Sequence, residues 1–294
     1  MNNFVKKIKS IKISPLSIVC FLLLAFYSIL LVYLLVWGCT TSFKGVLDFG
    51  KNILGLPNEW KFENYLTAFD FYYVKLGARR YVFVEEMALY SIIYALGCAF
   101  MQTLSTCIVS YATARFDFKL SKFIYSMVLV LMVLPIVGNL PSEIAVTKML
   151  GIHDTLIGPL VLKFNFIGMY YLVFYAMFKG VSPAYTEAAK IDGASNMRIM
   201  VQIVLPLVRN TFFTIMLINF VTYWNDYTTP LIYIPSYPTL AYGLYVYSFS
   251  SIPEIADTPM KLAGCMIVFI PILMVFIVFQ KRLMGNISMG GVKE

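Results

Sequence analysis

The sequence predicts an all-α membrane protein with six transmembrane helices, and three observations carry that fold class. The mean hydropathy is +0.78, and only 13% of the 294 residues are charged. A water-soluble domain of this size has too little interior to hide that much apolar surface. Six stretches, near residues 15–37, 87–113, 122–141, 155–178, 203–225 and 262–281, are apolar over about 20 residues. A helix rising about 1.5 Å per residue needs that length to cross a hydrocarbon layer roughly 30 Å thick. The runs are continuous rather than alternating, which argues against a β-barrel.

Each element follows in chain order. Residues 1–14 carry Lys6, Lys7, Lys9 and Lys12 ahead of the first apolar run, 15–37. That run exceeds the roughly 7–15 residues of a secretory signal core and has no small-residue cleavage pattern after it, so it reads as a retained span. Residues 38–86 form a long loop, 87–281 a core of five further spans with an inserted loop at 179–202, and 282–294 a tail. Short basic segments decide orientation. Three Lys/Arg lie in "ARFDFKLSK", four across 179–210 and three from the end of the last span onward (Lys281, Arg282, Lys293), against single residues at Lys148 and Lys261 in the opposite loops. The six in the long 38–86 loop count weakly, so both ends are expected in the cytoplasm and 38–86 outside. The net charge of +8 is scattered among these segments rather than gathered on one face, which argues against a nucleic-acid partner.

Chemistry of the catalytic kind is not legible. Four of the five cysteines lie within apolar spans, only Cys39 approaches the outer face, and no C-x-x-C pair occurs, so neither a disulfide framework nor a metal centre is expected. His153, the single histidine, reads as a solvated loop side chain. No G-x-x-x-x-G-K-[ST] phosphate loop is present. The chain is expected to be no enzyme and to hold no cofactor.

The stretch "EAAKIDGASNMRIMVQIVLP" (187–206) interrupts two apolar spans on the expected cytoplasmic side. Ser182 is suited to cap a helix opened by Pro183. "AYTEAAKID" favours helix, with Ala184, Ala188 and Ile191 near one side. Gly193 stops it, and Ser195 caps a second helix entering the fifth span through Pro206. The product is a surface helix of two to three turns whose central alanines let another protein approach its backbone.

The spacing of Glu187, Ala188, Ala189, Gly193, Ile203, Leu205 and Pro206 resembles the signature loop of permease subunits of bacterial ATP-binding-cassette importers. Further segments resemble the carbohydrate branch of that family: "WKFENYLTAF" (60–69), "STCIVSYATARFDFKLSK", "LGIHDTLIGPL", "YWNDYTTPLIYI" and the tail "FQKRLMGNISMGGVKE". Together they cover most of 57–294, and "DFYYVKLGARRYVFVEE" (70–86) is longer and more polar than the family pattern. The resemblance implies a type I importer permease fold with a cytoplasmic coupling helix in a bacterial plasma membrane. It implies an oligosaccharide as solute, with a peptide or polyamine as the alternative and a secondary transporter as a more distant one. Glu187, Ala188, Ala189, Lys190, Asp192 and Gly193 would couple the chain to its motor. The implied partners are a second permease in a heterodimer, two ATPase subunits that hold the ATP and Mg, an extracytoplasmic solute-binding protein, and lipid.

Polar and aromatic residues within spans are the candidate solute pathway: Asn165 and Tyr170 in the fourth, and Asn219, Tyr223, Trp224, Asn225 and Asp226 in the fifth. For Trp224 and Tyr227 an interfacial aromatic belt is an equal reading. Lys163, about eight residues into its expected span, either snorkels outward or contacts the pathway or a partner, with Asp226 a possible mate. The glycine-rich tail is either a loose end or an arm reaching the ATPase.

Overall fold

The computed structural model describes residues 14–134 and 138–287. The expectations for the basic N-terminus and for the end of the tail lie outside the described residues. Among the described residues four apolar helices are long enough to cross a membrane: Pro15–Thr41, Val84–Arg115, Asn196–Trp224 and Thr258–Gln280. They coincide with the first, second, fifth and sixth expected spans.

The other two expected spans take a different form. The third contains helix Lys119–Val133, of 15 residues, about 22 Å long and short of the hydrocarbon thickness. The fourth is broken into Ile157–Leu162 and Met169–Gly180. Its local chemistry explains the break. The Asn165 side chain accepts from the Ile167 backbone N–H at 2.9 Å, a local bond that competes with helix. Gly168 takes φ 151°, a region that side chains disfavour.

In chain order the helices are α1 (Pro15–Thr41), α2 (Val46–Lys51), α3 (Glu63–Phe71), α4 (Val84–Arg115), α5 (Lys119–Val133), α6 (Leu140–Met149), α7 (Ile157–Leu162) and α8 (Met169–Gly180). They continue with α9 (Pro183–Ile191), α10 (Asn196–Ile199), α11 (Leu205–Trp224), α12 (Thr228–Tyr233), α13 (Leu240–Ser248) and α14 (Thr258–Ile287). A hairpin pairs β1 (Tyr73–Leu76) antiparallel with β2 (Arg80–Phe83), Val74 facing Val82.

The chain divides into two compact units. The first comprises the described residues of Met1–Ala68 with Ser251–Met266. Here α1 shows an apolar surface almost all round, as a lipid-facing helix does. The segment after it, expected as a plain loop, is folded. Lys44 is fully buried, its ammonium donating to the carbonyls of Asn52 (2.7 Å) and Ile53 (3.2 Å). Trp37 donates to the same Ile53 carbonyl, and Phe43 packs among Trp60, Phe62 and Tyr65.

The second unit comprises Phe69–Ser250 with the described part of Ile267–Glu294. Its axis is α4, whose buried positions are mostly small, among them Ala95, Cys98, Ala99, Thr103, Ser105, Thr106, Cys107, Ser110, Thr113 and Ala114, with Met87, Tyr94 and Tyr111 the large ones. Small residues let α8 and α11 approach closely. Hydroxyls in this face are satisfied locally or across helices: Thr106 donates to Gln102 O, and Ser110 to Tyr171 O. Leu240, at the start of α13, is gripped by two side chains. Its N–H donates to Ser91 Oγ at 2.7 Å, and its carbonyl accepts from the Tyr72 hydroxyl at 2.7 Å. The first N–H groups of a helix have no intrahelical partner, so Ser91 fills a specific need. Ser91→Ala, which removes only the hydroxyl, should leave that buried N–H unsatisfied and cost about 1–3 kcal/mol. Thermal unfolding of the purified protein in detergent should show a lowered midpoint; an unchanged one would refute this role.

Candidate functional site

The signature stretch forms the helix its grammar calls for. Ser182 Oγ accepts from the Ala184 N–H at 3.4 Å, and Pro183 occupies the first turn of α9. At the other end Gly193 adopts φ 76°, its N–H donates to Lys190 O at 3.0 Å, and that of Ala194 donates to Ala189 O at 2.9 Å. That pair of bonds is a Schellman termination, which requires the left-handed residue glycine supplies. Ser195 Oγ then accepts from the Arg198 N–H to start α10. Between α10 and α11 the backbone makes a π turn over Met200–Val204, with Leu205 N–H bonded to Met200 O. Pro206 has no N–H to give back to Gln202, which accounts for a shift of register there.

The two central alanines have different destinations. Ala189 is buried, packed in a cluster with Cys107, Tyr111, Phe174, Phe178 and Ile199. Ala184, Ala188 and Ile191 stand exposed along the other side, Ile191 at 86% and the neighbouring Met197 of α10 at 70%. Glu187, Lys190, Asp192 and Gly193 are also exposed. One alanine thus seats the helix on its own chain, and the other presents bare backbone outward. Beside α9 runs a groove of about 290 Å³ lined by Tyr111, Arg115, Asp117, Lys179, Thr186 and Lys190. Arg115 donates to Val181 O at 3.0 Å through one nitrogen, while its buried Nη2 has no partner.

The polar residues expected in the pathway fall into two groups. Tyr223, Asn219 and Asp226 engage α4: Tyr223 donates to Gln102 Oε1 (2.5 Å), Asn219 to Thr103 Oγ1 (3.1 Å), and Asp226 Oδ2 accepts from Tyr94 (2.7 Å). Asn225, the C-cap of α11, and Asn165 in the unwound segment are exposed. Ser105 of α4 holds that segment by donating to Asn165 O at 3.0 Å. Lys163 lies 5.5 Å from the Tyr223 ring centroid. Two residues sit apart from this line. Trp224 is buried with its indole N–H on Val268 O of α14 at 3.3 Å, and Tyr170 packs against the cluster that seats α9.

Lys163 and Asp226 do not pair, contrary to the mate suggested by their sequence positions. Asp226 uses its oxygens on Tyr94 and on the Thr229 N–H, and among the described residues the one ion pair joins Arg80 to Glu86. The α4 partners Tyr94, Gln102, Thr103 and Ser105 escaped the sequence reading. Their signal was polar residues, Gln102, Thr103, Ser105, Thr106, Ser110 and Thr113, gathered within an apolar span. Among the described residues no cluster of three metal-ligating side chains exists.

A family model described as "Binding-protein-dependent transport system inner membrane component" matches residues 105–288. The chain is 26% identical over 272 residues to the diacetylchitobiose uptake system permease protein NgcG of Streptomyces coelicolor, covering 91% of this chain and 86% of the relative. It is 26% identical over 283 residues to the galactooligosaccharides transport system permease protein GanQ of Bacillus subtilis, covering 93% and 94%. Against the starch degradation products permease protein AmyC (termed probable) of Thermoanaerobacterium thermosulfurigenes it is 28% identical over 255 residues, covering 86% and 88%. A chain in the crystal structure of a bacterial ABC transporter involved in the import of the acidic polysaccharide alginate superimposes with TM-score 0.72 at 19% identity, covering 90% of this chain and 95% of that one. That likeness is one of fold.

The opposite orientation of the two alanines is directly testable. Ala189→Leu should overpack the cluster and destabilise by about 1–3 kcal/mol, whereas Ala188→Leu should stay within about 0.5 kcal/mol of the parent. Equal shifts in thermal midpoint would contradict the placement.

Proposed function

The chain belongs to the family of binding-protein-dependent transport system inner membrane components, and from that premise we propose that it is the permease subunit of an ATP-driven oligosaccharide importer. The observation that carries the motor half of this reading is α9: a helix capped at both ends, seated by Ala189, with Ala184, Ala188 and Ile191 left exposed. It lies within the residues the family model matches. An outward apolar stripe flanked by Glu187, Lys190 and Asp192 suits a protein partner, and the partner is an ATPase subunit. Six crossings with both ends in the cytoplasm put α9 on the side where ATP is available. The fourth crossing is then made by α7, the unwound Lys163–Gly168 segment and α8 together.

The importer consists of this chain, a second permease, two ATPase subunits that bind ATP and Mg, and a solute-binding protein outside, in a bacterial plasma membrane. Closure of the ATPase pair draws the coupling helices together and tips each bundle so that its cavity opens outward. Hydrolysis returns it. Such work requires that ATPase contacts differ between the two states, and a helix tied to the bundle by one buried alanine moves with it. The Lys163–Gly168 break carries Asn165 and sets Lys163 over Tyr223, itself bonded to Gln102, and with Asn225 and Asp226 at the end of α11 these supply amides, an acid and an aromatic face for sugar hydroxyls. Discontinuous helices are a recurrent setting for transport sites. The carbohydrate names of the relatives favour this solute over a peptide or polyamine, and the family favours it over a secondary transporter.

Two substitutions test the coupling role. Ala188→Arg places a long cation on the exposed stripe without touching the core, and should cut ATP-driven uptake by about tenfold or more through a lost hot-spot contact. Less ATPase should co-purify, while membrane levels stay unchanged. Gly193→Pro cannot adopt φ 76° and should likewise uncouple hydrolysis from uptake. Wild-type uptake by both variants would sink the reading.

A further inference from the structure

Lys163 caps the C-terminal end of α7, where the chain leaves the helix. Two bland roles are open to a lysine there, and the geometry satisfies neither. The first is snorkelling, in which the stem runs along the lipid face and the ammonium reaches the interface. Instead the ammonium lies over the ring of Tyr223, a buried residue of α11 whose hydroxyl is tied to Gln102 of α4. The side chain therefore turns into the bundle. The second is an ion pair that neutralises it, but Asp226 bonds Tyr94 and the Thr229 N–H and stands beyond ion-pair distance of Lys163. Among the described residues no carboxylate pairs with Lys163.

What remains is a half-buried cation held against an aromatic face, with Asn165 and Asn225 exposed in the same unit. A cation–π contact offsets only part of the cost of taking an ammonium out of water. Neutral sugars give that charge little to do, because amides serve hydroxyl groups without an ion's desolvation cost. A carboxylate is different. It forms a charge-assisted hydrogen bond with the ammonium, and a fixed cation in a narrow path favours anions in passage.

We propose that Lys163 is the carboxylate-binding residue of the pathway and that the solute is an acidic oligosaccharide, one built from or bearing uronic acid units. The inference rests on the importer reading above and adds the solute's charge to it. Tyr223 is the positioning residue. Its ring carries the ammonium, and its hydroxyl is anchored on Gln102. Asn165 and Asn225 take the hydroxyls that flank the carboxylate.

The test uses the complete importer, with its partner permease, ATPase and binding protein, reconstituted in liposomes. Uptake is measured for short oligogalacturonates and oligoglucuronates, and for the same oligomers after carboxyl reduction, which turns each acid into a primary alcohol and changes nothing else. The wild type is expected to take up the acidic forms in preference to the reduced ones. Lys163→Gln should lower uptake of the acids by about tenfold to a hundredfold, the range for a lost hydrogen bond between charged groups. Reduced sugars should change less than about twofold on the same grounds. Lys163→Arg, which keeps the charge, should retain most acid uptake, and ATPase attachment should be normal in both variants.

Equal loss of both solute classes in Lys163→Gln would make the lysine structural and overturn the proposal. So would unchanged acid uptake in that variant. A wild type that moves the reduced sugars and not the acids overturns the carboxylate assignment while leaving the oligosaccharide reading standing. A wild type that moves neither overturns both.

Discussion

Backbone polar groups inside hydrocarbon have no water to bond with, so any departure from helix there has to be repaired by neighbouring side chains. In this protein α4 makes that repair. Ser105 donates to the carbonyl of Asn165 in the unwound segment, and Ser110 and Thr113 engage the carbonyl and hydroxyl of Tyr171 just beyond it. With those bonds in place the fourth apolar stretch can stop being a helix for a few residues at modest cost. Without them Lys163, Asn165 and Gly168 would have nowhere stable to stand.

The same helix links the two ends of the second unit. Toward one end its small residues admit α8 and the cluster of Tyr111, Phe174, Phe178 and Ile199 on which Ala189 seats α9. Toward the other, Tyr94, Gln102 and Thr103 hold Asp226, Tyr223 and Asn219 of α11. A displacement of α9 therefore meets packed side chains, not a flexible tether, on its way to the polar residues. Close-packed interiors transmit such displacements because they deform little. On the function proposed above, α4 is the structural connection between the ATPase contact and the solute path.

Some of this organisation was legible in residue order. Ser182, Pro183, Gly193 and Ser195 act through bonds to their immediate neighbours, so their capping roles follow from local spacing and appear as read. The first, second, fifth and sixth apolar runs also stand as long helices, since length and hydropathy are properties of the run itself. The break within the fourth run was not legible, because hydropathy averages do not register an Asn side chain that bonds its own backbone or a glycine at φ 151°. Likewise 38–86 read as a long loop, and residue order does not show that Lys44, one of its six basic residues, is buried against two carbonyls.

The sequence by itself determined that the chain is a bundle of apolar helices, where its exposed linker helix begins and ends, and which family its motif resembles. These are matters of composition and of contacts within a few positions. Only the tertiary structure decided which of two adjacent alanines faces inward, that Trp224 serves α14 while Tyr223 serves α4, and that Lys163 lies over an aromatic ring rather than beside Asp226. Each of those outcomes pairs groups far apart in the chain, and which groups meet is set by how helices pack, a relation that no local window of residues contains.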